Sequence, residues 1–292
     1  MSSDKICNAP HPTIKESIGF IGGGNMAKAI CSGIINKGMA QYSQIYVSSP
    51  HIENLGWWIQ NGATASIENV KILEKAQIIF LSVKPHILPL AVASMLKTLP
   101  ANFTEPRLFV SILAGVTLDQ LSKTLRPVGD NVRLIRVMPN TPVMVGEGCA
   151  ALCAGNGATA HDVKTITSIF SVSGICKEVP ESMINSIGAL SGSGPAFIYL
   201  VIEALADAGV KQGIPRAMAI EMAAQTTLGA AKMVLSTDKH TAVLRDEVCS
   251  PGGTTICGVH ELESGGVRAA MFNAVEAAAK KSALLGQQQQ PK

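Results

Sequence analysis

One stretch near the amino end restricts the fold of this chain more than any other. Residues 18–30, IGFIGGGNMAKAI, place an apolar run directly before a G-x-G-x-x-A pattern formed by Gly22, Gly24 and Ala27, and a helical pattern follows. In the fingerprint that binds dinucleotides, the first glycine permits a tight turn and the second lets the backbone approach a pyrophosphate. The small third residue allows close packing of helix and strand, and the amides at the helix start hold phosphate. The stretch therefore predicts a dinucleotide-binding unit.

The chain alternates short apolar runs with segments of helical length as far as about Pro180. The runs that we interpret as buried parallel strands are residues 18–22, 44–49, 76–83, 107–113, 132–138, 149–155 and 174–179. Alternation of this kind with apolar strands is typical of an α/β doubly wound sheet. It predicts a Rossmann-like domain over residues 17–180, preceded by a flexible tail at residues 1–16.

The strand signal ends after Pro180, and residues 181–285 have the pattern of an all-helical domain. The breaks that we expect between its helices are SGSGP (191–195), GVKQGIPR (209–216), LSTDKH (235–240) and SPGG (250–253). A polar tail, residues 286–292, is expected to follow.

Composition and charge exclude several classes of function. The 292 residues are 47% hydrophobic, which is enough for a sizeable core, and the net charge of +3 is too small to favour nucleic acid or an acidic membrane surface. We find no apolar run near the about 20 residues that span a bilayer. The amino-terminal residues have neither an apolar core nor an arginine, which argues against a secretory or transit signal. We therefore expect a cytoplasmic protein.

Cysteine usage supports the same expectation. The seven cysteines are odd in number and form no C-x-x-C pair, so neither a disulfide framework nor a zinc site is expected. Reduced thiols in a cytosolic protein are the simpler interpretation. No metal is predicted.

The end of the second apolar run bears on the choice of cofactor. Sites for NAD usually carry an acidic residue there, whereas this chain has Ser48, Ser49 and Pro50. An acid would repel a 2′-phosphate, whereas hydroxyls and free amides can accept one. Asn69 is expected to add a donor on the adenine side. The sequence favours NADPH and leaves NADH open, because no arginine is present in this loop to clamp the phosphate.

Two further loops are expected at the carboxyl edge of the sheet, where ligands of such folds bind. LSVKPH (81–86) ends a strand at a Lys-Pro pair, and Lys84 is either a cofactor contact or a solvated strand end. MPNTP (138–142) places Asn140 and Thr141 between two prolines, either as a rigid turn or as part of the site. The predicted cofactor contacts are Gly22, Gly24, Asn25, Met26, Ala27, Ser48, Ser49, Pro50, Asn69, Val83, Lys84 and Pro85.

A donor-rich break, CSPGGTT (249–255), interrupts the helical region. Taken alone it is most simply a connector, in which proline and glycine end one helix and a hydroxyl residue caps the next.

Taken in order, the motifs resemble one family over nearly the whole chain. FIGGGNMA, SSP, LSVKPH, SILAGVT, MPNTP, LSGSGPAF, LADAGVKQGIPR and SPGGTTICGVHELESGG occur in that sequence. Each motif is weak evidence, but the ordered set is highly specific. The chain closely resembles the Δ1-pyrroline-5-carboxylate reductases, which catalyse the last step of proline synthesis.

The resemblance implies NAD(P)H-dependent reduction of a cyclic imine, L-1-pyrroline-5-carboxylate, to L-proline. It also implies an obligate dimer of interlocked helical domains, often assembled further, in which SPGGTT lines the partner's substrate pocket. Carried across, the substrate-binding residues are Asp238, Ser250, Gly253, Thr254 and Thr255. Backbone amides at that helix start would hold the carboxylate. Thr255 takes the position of the catalytic hydroxyl that hydrogen-bonds the imine nitrogen.

The chain departs from the family at two positions beside this motif. Cys249 stands where serine is common and could make the enzyme sensitive to thiol reagents, although an inert thiol is the simpler interpretation. Glu247 stands where asparagine is common, and either weakens a contact to the cofactor ribose or faces solvent.

Two other functions are weighed against this one. A β-hydroxyacid dehydrogenase shares the plan of a Rossmann domain followed by helices, but Ile198 stands where the catalytic lysine of those enzymes would fall. A non-catalytic NADPH-binding regulator would not be expected to retain SPGGTT intact.

Overall fold

The computed structural model describes residues 12–100 and 103–288, with side chains as far as residue 284. Its centre is an eight-stranded sheet in the order β3-β2-β1-β4-β5-β6-β7-β8. The strands are β1 Ile18–Ile21, β2 Ile45–Ser48, β3 Thr64–Ser66, β4 Ile78–Leu81, β5 Arg107–Ser111, β6 Val132–Met138, β7 Gly148–Ala154 and β8 Gly174–Glu178.

The first six strands form a parallel, doubly wound sheet, which confirms the predicted fold class. Their order, 3-2-1-4-5-6, changes direction between β1 and β4, and ligands of such sheets bind at this switch point. Ile21 is level with both Ser48 and Leu81 in the register of the neighbouring strands. The loops that follow β1, β2 and β4 therefore leave the sheet at one edge.

Two details of the predicted sheet were wrong. β7 is antiparallel to β6, whereas all the strands were expected to be parallel. The link between them is a single 3-10 turn, Thr141–Val145, and a parallel return needs a crossover of about a dozen residues or more. β3 was not predicted, because it has only 3 residues and none of them is buried.

Helices cover both faces of the sheet. They are α1 Asn25–Asn36, α2 Gly56–Gln60, α3 Asn69–Lys75, α4 Leu88–Leu96, α5 Leu118–Leu125, α6 Ala160–Ser171 and α7 Glu181–Ile187. One core contains Phe20, Trp58 and Phe80, and the other is built around Leu81 and Phe109. Because every residue of β1, β4 and β5 is buried, apolar runs in the sequence identified these strands.

A buried arginine and a partly exposed glutamate form an ion pair at the start of α7. Arg136 on β6 is 2% exposed and donates to Glu181 (2.9 Å) and to Asn185 (3.0 Å). Glu181 also accepts the amide of Leu118 at 2.7 Å. Because Arg136 is buried, leaving its charge without these partners would be costly, so the bonds constrain where α7 begins.

The predicted tails need one correction. Residues 1–11 lie outside the described residues, but residues 12–16 are not a free tail, because Ile14 is buried in the core and its amide donates to Met39 at 2.8 Å. At the other end, the last helix runs to Gln288, into the predicted tail, and residues 289–292 lie outside the described part.

Contacts divide the chain into two compact units, the first running to Gly192 and resuming at Ala279, the second being Ser193–Ala278. The second unit contains only helices, which confirms the predicted class of the carboxyl-terminal half. These helices are α8 Gly194–Lys211, α9 Arg216–Ser236, α10 Thr241–Val248, α11 Thr254–Ser264 and α12 Val267–Gln288, of which the last extends beyond Ala278.

The break expected at residues 191–195 is a π-turn, Gly188–Gly192, that leads almost directly from α7 into α8. As a result, Glu181–Lys211 is one helical run that is long and apolar enough, by length and composition alone, to cross a membrane. The sequence-based expectation that no such run exists was wrong. Only 11% of its most apolar window is buried within the chain.

Candidate active site

The glycine loop after β1 is held against β4 at a distance that only glycine permits. Gly22 has a φ of +101°, and a Cβ atom there would lie 2.7 Å from the carbonyl oxygen of Ser82. Its amide donates to Ser48 at 2.9 Å, and the Ser82 hydroxyl donates to its carbonyl at 2.7 Å. The turn therefore joins three strand ends at the switch point.

A tryptophan that the sequence did not single out supports the middle of this loop. Trp58 is fully buried, and its Nε1 donates to the carbonyl of Gly23 at 3.1 Å. A Cβ atom on Gly23 would lie 2.8 Å from that nitrogen. The sequence offered one general signal for such a role, which is that a buried tryptophan usually needs an acceptor for its indole N–H.

The start of α1 is open, in contrast to the packed glycines before it. Among the described residues, no atom of another segment lies within 4 Å of the Cβ position of Gly24, and no side chain caps the helix. The amides of Asn25, Met26 and Ala27 belong to the first turn, which has no intrahelical acceptors. Ala27 itself is fully buried beneath the helix. Free amides and an open approach fit the pyrophosphate of a dinucleotide.

Ser48 and Asn69 are brought together, but they bind each other. Ser48 is fully buried and donates to Asn69 Oδ1 at 2.7 Å. Asn69 Nδ2 donates to the carbonyl of Ala91 (3.2 Å) and to Ser94 Oγ (2.8 Å). A carbonyl can only accept, so these bonds fix the orientation of the amide. In this structure the Ser48 hydroxyl and the Asn69 amide are therefore bound within the protein, and the contacts predicted for them, Ser48 with a 2′-phosphate and Asn69 on the adenine side, stay predictions.

Ser49 is better placed than Ser48 to contact a ligand. Its Oγ accepts the amide of His51 at 3.3 Å, which leaves the hydroxyl hydrogen for another acceptor. Pro50, beside it, is exposed. Since Ser49 is 5% exposed, only a group at the end of β2 could reach it.

The three predicted contact residues in the loop after β4 differ in their surroundings. Val83 packs against the second core, whereas Lys84 is exposed and Pro85 begins a 3-10 turn that leads into α4. No carboxylate of the described residues lies within 4.0 Å of the Lys84 ammonium. Lys84 is thus available for an anion, and the alternative of a solvated strand end stays open.

The SPGGTT segment is a tight turn that leads into an uncapped helix. Ser250 accepts the amide of Gly253 at 3.0 Å across Pro251 and Gly252, and Gly252 has a φ of +68°. Proline followed by a left-handed glycine is the pattern of a type II turn. Within the part of the chain that the structure describes, no side chain caps α11 at Gly253, so its first-turn amides are available to an anion. The expected serine or threonine cap is therefore absent.

The two threonines of this turn differ in exposure. Thr254 is exposed and Thr255 is half-buried. Asp238 is exposed in the link between α9 and α10, and no hydrogen bond joins its carboxylate to the turn among the described residues. Glu247, which replaces the family's asparagine, forms an ion pair with Lys239.

Burial keeps three thiols of the first unit protonated. Desolvation raises the pKa of Cys31 and Cys176 to about 12 and that of Cys153 to about 11. Cys249 is half-buried and Cys257 is exposed on α11. In the described part of the chain, no group of three potential ligands could hold a metal ion.

Comparisons with known proteins match both halves of the chain. Residues 181–285 match the family described as pyrroline-5-carboxylate reductase dimerisation, and residues 17–115 match that described as NADP oxidoreductase, coenzyme F420-dependent. Pyrroline-5-carboxylate reductase 3 of Xenopus laevis is 41% identical over 278 residues, which cover 95% of this chain and 99% of the relative. The reductase of Arabidopsis thaliana is 40% identical, with coverage of 95% and 98%.

Solved structures give the same result in three dimensions. A pyrroline-5-carboxylate reductase of Coxiella burnetii superposes with a TM-score of 0.83 at 34% identity, covering 93% of this chain and 99% of that one. A pyrroline carboxylate reductase of Plasmodium falciparum with NADP bound gives 0.82 at 32% identity, with coverage of 94% and 99%.

Proposed function

The chain belongs to the pyrroline-5-carboxylate reductase family, and on that premise we infer that it reduces L-1-pyrroline-5-carboxylate to L-proline with NAD(P)H as the hydride donor. The observation that carries this is a similarity of 40–41% identity that extends over nearly the full length of the chain and of its relatives. The test is the rate of NADPH oxidation by purified protein given the imine. A folded dimer that does not turn over would overturn the proposal.

NADPH is the cofactor, and the residues of the first unit fit it. The free first turn of α1 offers amides to the pyrophosphate, while Gly24 leaves its approach open. We propose that the Ser49 hydroxyl contacts the 2′-phosphate and that Lys84 adds a positive charge to the same edge. Ser48, Asn69 and Val83 then support this edge, while Pro50 and Pro85 shape its loops. When bound, the reduced nicotinamide supplies a hydride.

The SPGGTT turn is proposed as the substrate cradle. The amides of Thr254 and Thr255 lie in the uncapped first turn of α11, where orphan donors and the helix dipole favour a carboxylate. Ser250 and Gly253 set the shape of the turn. The Thr255 hydroxyl would hydrogen-bond the imine nitrogen, and the exposed Asp238 carboxylate is proposed to lie near the ring. The proton that completes the product comes from Thr255 or from water.

The protein is a homodimer, and the matching dimerisation family covers its helices. Within the second unit, α8 and α9 bury only small side chains against each other, Ala206, Ala219 and Ala223, with apolar residues such as Ile202 packed around them. Beside them is an open groove of about 720 Å³, lined by apolar residues such as Tyr199 and Leu200 and by the charged residues Glu203, Asp207 and Arg216. A second copy of the chain would cover these groups. Association of dimers into a larger particle is tested by mass in solution.

We also propose that the enzyme acts in the cytoplasm without nucleic acid or membrane. The net charge of +3 supports little electrostatic attraction to either. The long apolar run Glu181–Lys211 falls within the dimerisation region, so a partner chain is the simpler cover for it. Recovery of the protein in a membrane fraction would contradict this.

The alternative function is alcohol oxidation of the kind that β-hydroxyacid dehydrogenases catalyse. It would need a lysine at the position of Ile198, where this chain has no ionisable group. Ile198 lies in the first two turns of α8 and is 43% exposed.

A further inference from the structure

The MPNTP loop after β6 contains a buried amide that the proposed cofactor and substrate contacts do not use. Asn140 is 8% exposed, and both ends of its side chain are occupied. Its Nδ2 donates to the carbonyl of Ser191 at 3.0 Å, and its Oδ1 accepts the amide of Cys149 at 2.8 Å. Because one partner can only accept and the other can only donate, the orientation of the amide is fixed.

These two bonds join three separate segments of the first unit. Asn140 follows β6, Cys149 lies at the start of β7, and Ser191 lies in the π-turn Gly188–Gly192. The turn also packs closely on the last residue of β6, since Cβ atoms on Gly188 and Gly192 would lie 2.9 and 2.8 Å from Met138 Cε. Insertions of π-helix are rare and are frequently found at functional sites.

The end of β6 is on the half of the sheet where the reacting end of the cofactor is expected. In a doubly wound sheet each half binds one mononucleotide, and the adenosine ribose lies at the end of β2. The nicotinamide half therefore lies over the ends of β4, β5 and β6. The π-turn beside Met138 belongs to this region.

We propose that Asn140 is a positioning residue for the reduction, because its amide fixes the π-turn at the end of β6 beside the nicotinamide half of the site. The inference rests on the proposed function. Hydride transfer requires reacting atoms about 3–3.5 Å apart, and an error of about 1 Å can cost about 100-fold in rate. Releasing the turn should therefore lower kcat without weakening the hold on the phosphates.

The test uses Asn140→Asp, which keeps the shape and the acceptor for Cys149 but removes the donor to Ser191. The matched control is Asn185→Asp, because Asn185 accepts from Arg136 and an aspartate would continue to accept. We expect the kcat of Asn140→Asp to fall about 10- to 100-fold with the NADPH Kd within about twofold of the wild type. Asn185→Asp should retain its kcat.

A second measurement separates this proposal from the function on which it rests. Hydrogen exchange in the peptide containing residues 188–192 should accelerate in Asn140→Asp with NADPH bound, and this readout needs no turnover. If Asn140→Asp does not fold as a dimer, Asn140→Ala removes the donor to Ser191 without adding a charge and carries the same expectations. A folded variant with wild-type kcat, or a parallel loss of NADPH affinity, would overturn the proposal. A wild type without imine turnover would instead overturn the function.

Discussion

The two units of the molecule differ in how completely they bury their apolar side chains. In the first unit large side chains are fully buried in both cores, among them Trp58 and Phe80 in one and Phe109 in the other. In the second unit the fully packed positions are alanines, whereas Leu200 is 66% exposed and Leu235 is 78% exposed. The first unit thus completes its own core, and the second needs another chain to complete it.

The units nevertheless share one structural feature, which is a helix that begins after a glycine and has no side-chain cap. Gly24 precedes α1 in the first unit and Gly253 precedes α11 in the second. Both helix starts leave amides free for an anion, which is a pyrophosphate in one case and a carboxylate in the other according to the proposal. One site therefore rests on a rigid scaffold, and the other rests on helices that depend on the dimer.

The largest effect should come from placing a charge on the apolar surface of the second unit. Leu200→Glu removes about 1.5–3 kcal/mol of apolar burial from each of two symmetric positions and adds two charges to the interface. We expect the dimer dissociation constant to rise roughly 1,000-fold, together with loss of activity at low concentration. Sedimentation and the dependence of the rate on enzyme concentration measure this.

Leu90→Glu is the matched control, because Leu90 is equally exposed at 66% but lies on α4 of the first unit. It should leave both dimer and activity within about twofold, as is usual for surface substitutions. Equal dissociation in the two variants would mean that the contrast between the units does not locate the interface.

The next effect tests the chemistry assigned to the second unit. Thr255→Ala removes the hydroxyl proposed to contact the imine nitrogen and leaves the backbone amides in place. An interaction made mainly in the transition state lowers kcat, so we expect a fall of roughly 10- to 1,000-fold with little change in NADPH affinity. Steady-state kinetics at saturating imine provide the measurement.

Thr254→Ala is the control, since that hydroxyl is in the same turn without a proposed proton role. If both variants lose activity equally, or if Thr255→Ala keeps its kcat, the turn only binds the carboxylate. The proton would then come from water.

Sequence reasoning succeeded where the requirement was local. The G-x-G-x-x-A pattern identified Gly22 because a left-handed turn followed by a helix start is set by adjacent residues. It did not predict the orientation of the Asn69 amide, which is held by Ala91 and Ser94 on another helix. It also failed for the direction of β7, which depends on the short 3-10 turn before it. Contacts between distant segments leave no periodic pattern in a sequence.

In the first unit, Gly24→Ala should separate binding from folding. A methyl group there meets no protein atom within 4 Å, so stability should hold, but it would occupy the approach of the pyrophosphate. We expect the NADPH Kd to rise about 10- to 100-fold with an unchanged Tm. Titration calorimetry and thermal unfolding give the two numbers.

Gly22→Ala should show the opposite pattern. Its φ of +101° and the nearby Ser82 carbonyl make any side chain costly, by at least about 1–2 kcal/mol for the left-handed backbone alone. The Tm should fall. If Gly24→Ala binds NADPH normally, the dinucleotide does not cross the start of α1.

The smallest effect concerns which nicotinamide cofactor is preferred, and it depends on two adjacent serines. Ser49→Asp places a negative charge where the 2′-phosphate is proposed to lie, so NADPH should lose affinity relative to NADH by roughly 10- to 100-fold. Ser48→Ala instead removes the bond to Asn69 inside the protein, which should cost about 1 kcal/mol of stability and leave the ratio of the two affinities unchanged. If Ser48→Ala alters the ratio as much as Ser49→Asp does, the buried network of Ser48 and Asn69 controls the phosphate site indirectly. If neither alters it, the 2′-phosphate lies elsewhere, and the exposed Lys84 is the next residue to substitute.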